Sequence, residues 1–383
     1  MNTALPSIPL VFVLAGCSAS DGDADIETDA ATSTGVAAST TSSTDPVDSS
    51  SSATTLTSGS SDDSSSTTAN DSGEDASSTG PAATCDTIAD VLPLATTCRV
   101  EASRCTLSLP ASTRCAAACE QIGQTCLRAY PASDTCEAAV YEDALACEQE
   151  IDAASFCQCG DPDLKYPPLQ IVTIGDSTMD NGSRGEAGWG NMFPPLGVRP
   201  EDLHNWGSSG ASSLDFEQRS NWPSAQALLG PDVYLFIQFG HNDASDDPNR
   251  HTEPGEPPDY EGTYRERLRF YADAARDVGA TPVILTSLGR MLFNEDGTTR
   301  ASHGNYPPSA RQFAADEGLI MLDANRASRG EYERLGQEQT LALYSYDEPT
   351  HFTPEGAMRM AELTVRLACI ESEALCAQFV PLD

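Results

Sequence analysis

The sequence lacks any uninterrupted apolar run of the roughly 18 residues that a membrane-spanning helix needs, which excludes a polytopic membrane protein. It is also poor in cations: 21 Lys and Arg stand against 58 Asp and Glu, so the formal net charge is -37 at pH 7. Nucleic-acid binding depends on cations that displace counterions from phosphates. The charge balance therefore excludes DNA and RNA as partners.

Histidine is scarce as well. The chain has five His residues, at positions 204, 241, 251, 303 and 351, and none of them shows HxxxH or HExxH spacing. The sequence therefore implies no metal and no cofactor. What is present is 383 residues with 39% hydrophobic content, enough to bury the core of one large domain or two smaller ones.

The N-terminus carries a short apolar stretch, Leu10-Val-Phe-Val-Leu14, that ends in Ala15-Gly16-Cys17. This pattern resembles the lipobox of bacterial lipoproteins, in which the signal is cut before the Cys and the thiol receives lipid. We expect residues 1–17 to be such a signal, Cys17 to be the lipid attachment site, and the membrane to be a partner through this anchor. The expected location is the outer membrane or cell surface of a bacterium; the alternative is an ordinary secretory signal and a secreted protein.

Residues 18–84 consist of Ser, Thr, Asp, Gly and Ala with almost no large apolar side chain. Twelve Asp or Glu and no Lys or Arg fall between Cys17 and Thr84, which leaves a charge of about -25 (-37 plus 12) for the rest of the chain. Such a composition cannot offset the ordering entropy of a fold. The segment is predicted to be a disordered linker.

Residues 85–160 are rich in cysteine. Ten of the thirteen Cys lie there, and removing Cys17 leaves an even twelve, as expected for an exported, oxidised protein. The region has no His and no paired CxxC spacing, so disulfides are favoured over zinc. Helical spacing around positions 114–122 and 137–151 predicts a small, mostly helical, disulfide-stapled module. Cys369 and Cys376 are expected to pair with each other, with a bridge to the module as the alternative.

From residue 168 to 383 the pattern alternates between strands and helices. Apolar runs at 169–174, 233–239, 282–286 and 318–322 read as buried parallel strands. Residues 260–278, 307–317 and 353–369 read as helices. This alternation predicts an α/β fold, a three-layer α/β/α sandwich with a parallel sheet. In such folds the chemistry lies at the carboxyl ends of the strands.

Residues that could take part in catalysis follow two of the predicted strands. Asp176-Ser177 comes after the first run, where a serine on a strand-to-helix turn has an exposed hydroxyl. Asn242 follows the next run and could donate its amide N–H to an anionic oxygen. Between the two lies Gly207, whose backbone could approach closely and supply a second donor. Each of these residues is also ordinary turn composition when taken alone.

His351 stands just before a predicted helix start, with Asp347 and Glu348 upstream. A base oriented by a carboxylate is the second half of serine activation, because a serine hydroxyl alone is a poor nucleophile near neutral pH.

Together these blocks resemble the SGNH (GDSL-type) hydrolases, which carry Ser, Gly, Asn and His in this order. More narrowly, the sequence resembles the rhamnogalacturonan acetylesterase family, carbohydrate esterase family 12, over residues 171–367. The matching segments are Gly175-Asp-Ser-Thr-Met179, Phe239-Gly-His-Asn-Asp243, Thr350-His-Phe352 with Gly356-Ala357, Arg290 with Phe293, His303 with Tyr306, and Leu322-Asp323.

The resemblance implies a secreted or surface-anchored esterase that removes O-acetyl groups from acetylated polysaccharide, most specifically pectic rhamnogalacturonan, through a serine acyl-enzyme. Ser177 would be the nucleophile and His351 the base, and the amides of Ser177 and Gly207 with the Asn242 side chain would form the oxyanion hole. Asp176 and His303 are candidates for contacts with substrate.

The family pattern has Asp three residues before the His, whereas this chain has Glu348 there and Asp347 one position earlier. Either could orient His351, and Glu348 is favoured because Glu is the third member in some serine hydrolases. Two other functions remain open: an SGNH lipase or general esterase, and a non-catalytic surface binding protein whose esterase domain is degraded.

Overall fold

The computed structural model describes Cys85 and residues 88–101, 104–142, 144–164, 166–180, 185–345 and 348–380, without the side chain of Ala89. The predicted signal, the lipid-attachment residue Cys17, the linker at 18–84 and the triad alternative Asp347 lie outside these described residues. Within the described part of the chain, no helix has the length and the apolar character needed to cross a membrane.

Helices and strands follow one another along the described chain in two groups, each built around a five-stranded sheet. The elements are α1 (Ile88–Val91), β1 (Thr96–Val100), β2 (Arg104–Leu109), α2 (Cys115–Gln121), β3 (Thr125–Asp134), β4 (Glu137–Ala138), β5 (Ser155–Gly160), β6 (Gln170–Gly175), β7 (Leu203–Asn205), α3 (Asn221–Gln226), β8 (Val233–Gln238), α4 (Thr263–Arg276), β9 (Thr281–Leu285), α5 (Tyr306–Asp316), β10 (Ile320–Leu322), α6 (Ala324–Leu341), α7 (Pro354–Glu371) and α8 (Glu373–Cys376).

The second group forms a parallel sheet with strand order β10-β9-β8-β6-β7. The four predicted apolar runs correspond to β6, β8, β9 and β10, and the three predicted helices correspond to α4, α5 and α7. Strand β7 and helix α6 were not predicted. Strand β7 has only three residues, and its sequence Leu-His-Asn carries no apolar run.

Successive side chains of the parallel strands point to opposite faces of the sheet, and each face packs into its own hydrophobic cluster. In β8, Leu235 and Ile237 pack in one cluster with side chains of α4 and α5, while Phe236 packs in the other with side chains of α6 and α7. Because both faces of the strands are covered, the strands read as continuous apolar runs rather than as alternating ones. This burial holds the carboxyl ends of β6 and β8 in fixed positions.

The first group is an antiparallel sheet with strand order β1-β2-β5-β3-β4, so the mostly helical module predicted for residues 85–160 is wrong. Helical spacing around 114–122 correctly predicts α2. None of the described residues of 137–151 is helical, because Leu145 N donates to Ala129 O at 2.9 Å and Cys147 is bonded to Cys126 of β3. These links hold the segment against β3.

The cysteine spacing explains how α2 packs on the antiparallel sheet. Cys115 and Cys119 lie on one face of α2, about 6 Å apart along its axis. Cys157 and Cys159 lie on one face of β5, about 6.6 Å apart. The two spacings match, and the bridges Cys115–Cys157 and Cys119–Cys159 form two parallel rungs between helix and strand.

All twelve cysteines from Cys85 onward are paired. Five bridges lie within the first group of elements, and Cys369–Cys376 forms the predicted bridge between α7 and α8. The five are Cys85–Cys105, Cys98–Cys136, Cys115–Cys157, Cys119–Cys159 and Cys126–Cys147.

The antiparallel sheet caps the C-terminal end of α7. Arg104 is buried and donates to Cys369 O at 2.7 Å, and Gln158 donates to the same carbonyl at 2.9 Å. Arg99 donates to Ile370 O at 3.2 Å. The last carbonyls of a helix have no partner within the helix and attract positive charge, so these contacts stabilise the end of α7.

Candidate active site

Ser177 lies on a tight turn at the carboxyl end of β6. Asp176 accepts from the backbone N–H of Thr178 at 2.9 Å and from its hydroxyl at 2.8 Å. Gly175 is required before the turn, because a Cβ there would lie 2.6 Å from the backbone oxygen of Gln238. The turn therefore fixes Ser177 at the edge of the sheet, as predicted for a residue that follows a buried strand.

His351 connects Ser177 to a carboxylate. Its Nε2 lies 2.8 Å from Ser177 Oγ, and its Nδ1 lies 2.9 Å from Glu348 Oε1. Glu348 also accepts from the backbone N–H groups of Thr350, at 3.1 Å, and His351. Hydroxyl, imidazole and carboxylate thus form one continuous chain. The structure places Glu348 at the third position of this chain.

Asn242 follows β8 and lies beside Ser177 in the same cavity. One hydrogen of its side-chain amide goes to Ala211 O at 2.8 Å, which leaves the second for another acceptor. The loop is held by Asp243, which accepts from Ser213 N at 3.0 Å and Gly240 N at 2.9 Å. Burial raises the pKa of Asp243 to about 6, and hydrogen bonds from Ser213 and Thr252 oppose that rise.

Gly207, predicted as an oxyanion donor, does not line the cavity. It is buried, and its N–H donates to Asn205 Oδ1 at 3.0 Å. The glycine of this loop that does line the cavity is Gly210, whose φ of +72° lies in the left-handed region that favours glycine. The geometry therefore favours Gly210 over Gly207 as the backbone donor, because the Gly207 amide is already bonded inside the loop.

These groups surround a cavity of about 410 Å³ at the carboxyl edge of the parallel sheet. Among the described residues, its lining contains no aliphatic side chain and no Phe, Tyr or Trp. The lining residues are Ser177, Glu186, Ser209, Gly210, His241, Asn242, Arg290, Thr350 and His351.

The two predicted substrate-contact residues, Asp176 and His303, lie behind the cavity rather than in it. Asp176 is fully buried, and burial raises its pKa to about 6. His303 is 6% exposed, and its Nε2 lies 3.1 Å from Nδ1 of His241, which separates it from the cavity. Burial lowers the pKa of His303 to about 2 and that of His241 well below its usual range, so both imidazoles are neutral at neutral pH. The geometry favours supporting positions for Asp176 and His303, because both are too buried to touch a substrate in this cavity.

The sequence predicted no function for six of the lining residues, and three of these have titratable or charged side chains: Glu186, His241 and Arg290. His241 and Arg290 stand inside the segments that carry the family resemblance, so those segments were the available signal for them. Arg290 donates to the hydroxyl of Thr350, and it also donates to His241 O at 3.2 Å. Glu186 stands outside every such segment, and no local pattern marks it.

A larger cavity of about 610 Å³ lies between β4, α6 and α7 and contains neither Ser177 nor His351. Its charged lining residues include the pairs Arg311–Asp323, at 3.0 Å, and Arg326–Glu137. The chemistry of Ser177 therefore belongs to the smaller cavity.

A serine hydroxyl, an imidazole and a carboxylate in a continuous chain, at the carboxyl edge of a parallel sheet, define a serine hydrolase. The sequence profile of the GDSL-like lipase/acylhydrolase family matches residues 173–359.

Relatives point to the same family. The rhamnogalacturonan acetylesterase RhgT of Bacillus subtilis (strain 168) is 31% identical over 212 residues, which are 51% of this chain and 88% of the relative. The probable rhamnogalacturonan acetylesterase YesY of the same strain is 32% identical over 206 residues, 51% of this chain and 90% of the relative. A rhamnogalacturonan acetylesterase of Emericella nidulans is 25% identical over 219 residues, 54% of this chain and 86% of the relative. The chain belongs to the GDSL-like lipase/acylhydrolase family and is an SGNH-type serine esterase.

Proposed function

We propose that this protein is a carbohydrate acetylesterase that removes O-acetyl groups from pectic rhamnogalacturonan. The observation that carries the proposal is the chain from Ser177 Oγ through His351 to Glu348, with distances of 2.8 and 2.9 Å, beside the amide of Asn242. The names of the relatives supply the substrate.

In the proposed reaction His351 Nε2 takes the proton of Ser177 as Oγ attacks the acetyl carbonyl. The oxygen of that carbonyl becomes negative and accepts hydrogen bonds from the amides of Ser177 and Gly210 and from Asn242 Nδ2. Glu348 holds the imidazole in the tautomer that presents Nε2 to the hydroxyl, and stabilises the imidazolium.

The imidazolium then gives its proton to the sugar oxygen, the ester bond breaks, and an acetyl group remains on Ser177. Water, deprotonated by His351, attacks this acetyl-serine in the same way. Acetate leaves and the serine is restored.

The lining of the cavity supports a small acyl group on a polar alcohol. A lipase that binds long acyl chains needs an apolar pocket, whereas this cavity is lined by hydroxyl, amide, imidazole and charged groups. We therefore prefer acetylated sugar over lipid as the substrate.

The test compares acetate release from acetylated rhamnogalacturonan, acetylated xylan and a triacylglycerol by the full chain and by Ser177→Ala. We expect the fastest release from rhamnogalacturonan, and a fall of at least about 10⁴-fold in kcat for Ser177→Ala. Faster release from xylan would contradict the pectic substrate, and faster cleavage of triacylglycerol would favour a lipase. A fluorophosphonate that fails to label Ser177 in folded protein would favour the binding-protein alternative.

The proposed location is the surface of a bacterium, with Cys17 as the lipid anchor. The pairing of twelve cysteines supports an oxidising compartment, because cytosolic thiols are kept reduced. Mass spectrometry of the mature N-terminus tests this proposal: a diacylglyceryl group on Cys17 is the expected result. A free N-terminus at another residue would favour the secreted alternative.

A further inference from the structure

A second carboxylate lies against the imidazole of His351. Oε1 of Glu186 is 4.0 Å from His351 Nδ1, the nitrogen that Glu348 contacts at 2.9 Å. The Glu186 side chain is 18% exposed, against 33% for Glu348, and it lines the cavity.

The backbone fixes Glu186 in this place. Its neighbour Ala187 pairs with Phe352, the residue after His351, and Ala187 N donates to Phe352 O at 3.0 Å. Two residues further on, Trp189 N donates to Thr178 O at 3.1 Å. The segment with Glu186 is thus bonded both to the histidine loop and to the turn that carries the nucleophile.

The other charged and titratable groups around His351 come from four places. Asp176 and Ser177 lie on the turn after β6, His241 on the loop after β8, and Arg290 on the segment after β9. Glu348 lies on the histidine's own loop. His241 is neutral, and Asp176 is buried without direct contact to the imidazole. Glu348 and Glu186 are therefore the two carboxylates within 4.0 Å of Nδ1 among the described residues.

We propose that Glu186 is a second positioning residue, which shares the stabilisation of the imidazolium with Glu348 and replaces Glu348 as the partner of Nδ1 when that carboxylate is removed. The inference rests on the proposed role of His351 as the base. A side-chain rotation that shortens the 4.0 Å separation by about 1 Å gives a hydrogen bond of ordinary length. No step of the reaction changes; the charge that faces the imidazolium is supplied from two sides.

The experiment is a double-mutant cycle with Glu186→Gln, Glu348→Gln and the double variant. The substrate is 4-nitrophenyl acetate, which has no sugar hydroxyls, and the rate of fluorophosphonate labelling of Ser177 is measured in parallel. We expect falls in kcat of about 5-fold and about 50-fold for the single variants, and of at least about 2,500-fold for the double, tenfold beyond the product of the singles.

The pH profile separates this role from a merely structural one. A carboxylate near the imidazole favours the protonated form, which cannot act as a base. Glu186→Gln should therefore move the acidic limb of kcat/KM to lower pH, and Glu186→Asp should move it back. The control is Glu201→Gln, which removes the same charge from an exposed side chain outside the cavity and should leave the limb in place.

Three results would overturn the inference. A double variant equal to the product of the singles would mean that Glu186 does not replace Glu348. An unchanged acidic limb would mean that its charge does not reach the imidazole. A rise in KM for acetylated rhamnogalacturonan, with normal kcat on 4-nitrophenyl acetate, would make Glu186 a substrate contact instead. Failure on the polysaccharide alone, with 4-nitrophenyl acetate still cleaved, would instead contradict the proposed substrate.

Discussion

The two sheets of this protein are stabilised in different ways. The antiparallel sheet has one small hydrophobic cluster, and five disulfides lie within about 75 residues. The parallel sheet and its helices contain one disulfide but pack two extensive hydrophobic clusters. A short segment buries too little apolar surface to be stable by burial alone, so disulfides supply the remaining stabilisation. In the larger segment, the carboxyl edge of the parallel sheet carries the catalytic residues.

The boundary between the two regions is clear in topology but not in packing. Tyr130 and Phe156 of the antiparallel sheet belong to the same hydrophobic cluster as Phe236 of β8. Arg104 joins the two regions again at the end of α7. The comparison predicts that changes in the parallel region can abolish activity without loss of stability, and that changes in the antiparallel region act chiefly on stability.

Among the variants that compare the two regions, the largest expected effect is on activity. Asn242→Ala should reduce kcat by about 10²- to 10³-fold, because one oxyanion donor is lost. Thermal unfolding should change little, since among the described residues the fold loses one hydrogen bond of this side chain, to Ala211 O. Steady-state kinetics on 4-nitrophenyl acetate check this, with the exposed Asn249→Ala as the control on the same loop. Equal losses in both variants would mean that the loop, not the donor, matters.

The next effect is on stability and contrasts disulfides of the two regions. Replacing both Cys119 and Cys159 by Ala opens a link across 40 positions and should lower the free energy of unfolding by about 4 kcal/mol. Replacing Cys369 and Cys376, which are 7 positions apart, should lower it by about 2.5 kcal/mol. Denaturant unfolding measures both. A larger loss at Cys369 would show that the parallel region depends on its single link as strongly as the antiparallel region does on its five.

A smaller loss is expected where the regions meet. Arg104→Met keeps most of the buried volume but removes the donors to Cys369 O and Ile370 O and leaves the Glu101 carboxylate without this partner. We expect a loss of about 2–3 kcal/mol of unfolding free energy. Glu201→Gln, which removes one partner of the exposed Arg199–Glu201 ion pair, is the control and should leave unfolding nearly unchanged. Equal midpoints for the two variants would show that the junction contributes nothing.

The smallest effect is a pH dependence. Burial raises the pKa of Asp176 from its ordinary 3.8 to about 6, so the fold favours the protonated carboxyl. Its contribution to stability is complete below pH 3.8 and is lost as the pH rises through 6. Asp176→Asn should therefore flatten the decline in the thermal midpoint between pH 4 and 7 by a few degrees. Asp163→Asn, at an exposed position, serves as the control, and an unchanged slope in Asp176→Asn would contradict the burial argument.

Sequence reasoning located the site where local pattern and topology agree. Ser177 and Asn242 directly follow buried strands, and His351 precedes a helix start. The structure brings all three to one cavity. The sequence does not distinguish Gly207 from Gly210, because two glycines three positions apart in one loop are equivalent until their backbone angles and hydrogen bonds are known. Glu186 was missed because its contact with His351 is made across the fold, and a lone glutamate in a loop has no recognisable neighbours.

The antiparallel region was mispredicted for a different reason. Helical spacing occurs around α2 and again at residues 137–151, but only the first of these stretches forms a helix in the described part of the chain. The spacing of Cys157 and Cys159 by two positions was the available sign of a strand, since alternate residues of a strand share a face. Disulfides override weak local preferences, so cysteine spacing is better evidence than apolar periodicity in such a segment.

Helix α7 begins three residues after His351 and ends, about 27 Å along its axis, under Arg104 and Gln158. A mechanical load that enters from the N-terminal side of the chain meets the cross-linked antiparallel sheet before it meets this helix. The disulfides of that sheet would bear such a load, and its contacts with α7 lie at the C-terminus of the helix, the end remote from Ser177 and His351. Tension applied to the N-terminal side of the chain would therefore enter the fold at a point remote from the catalytic pair.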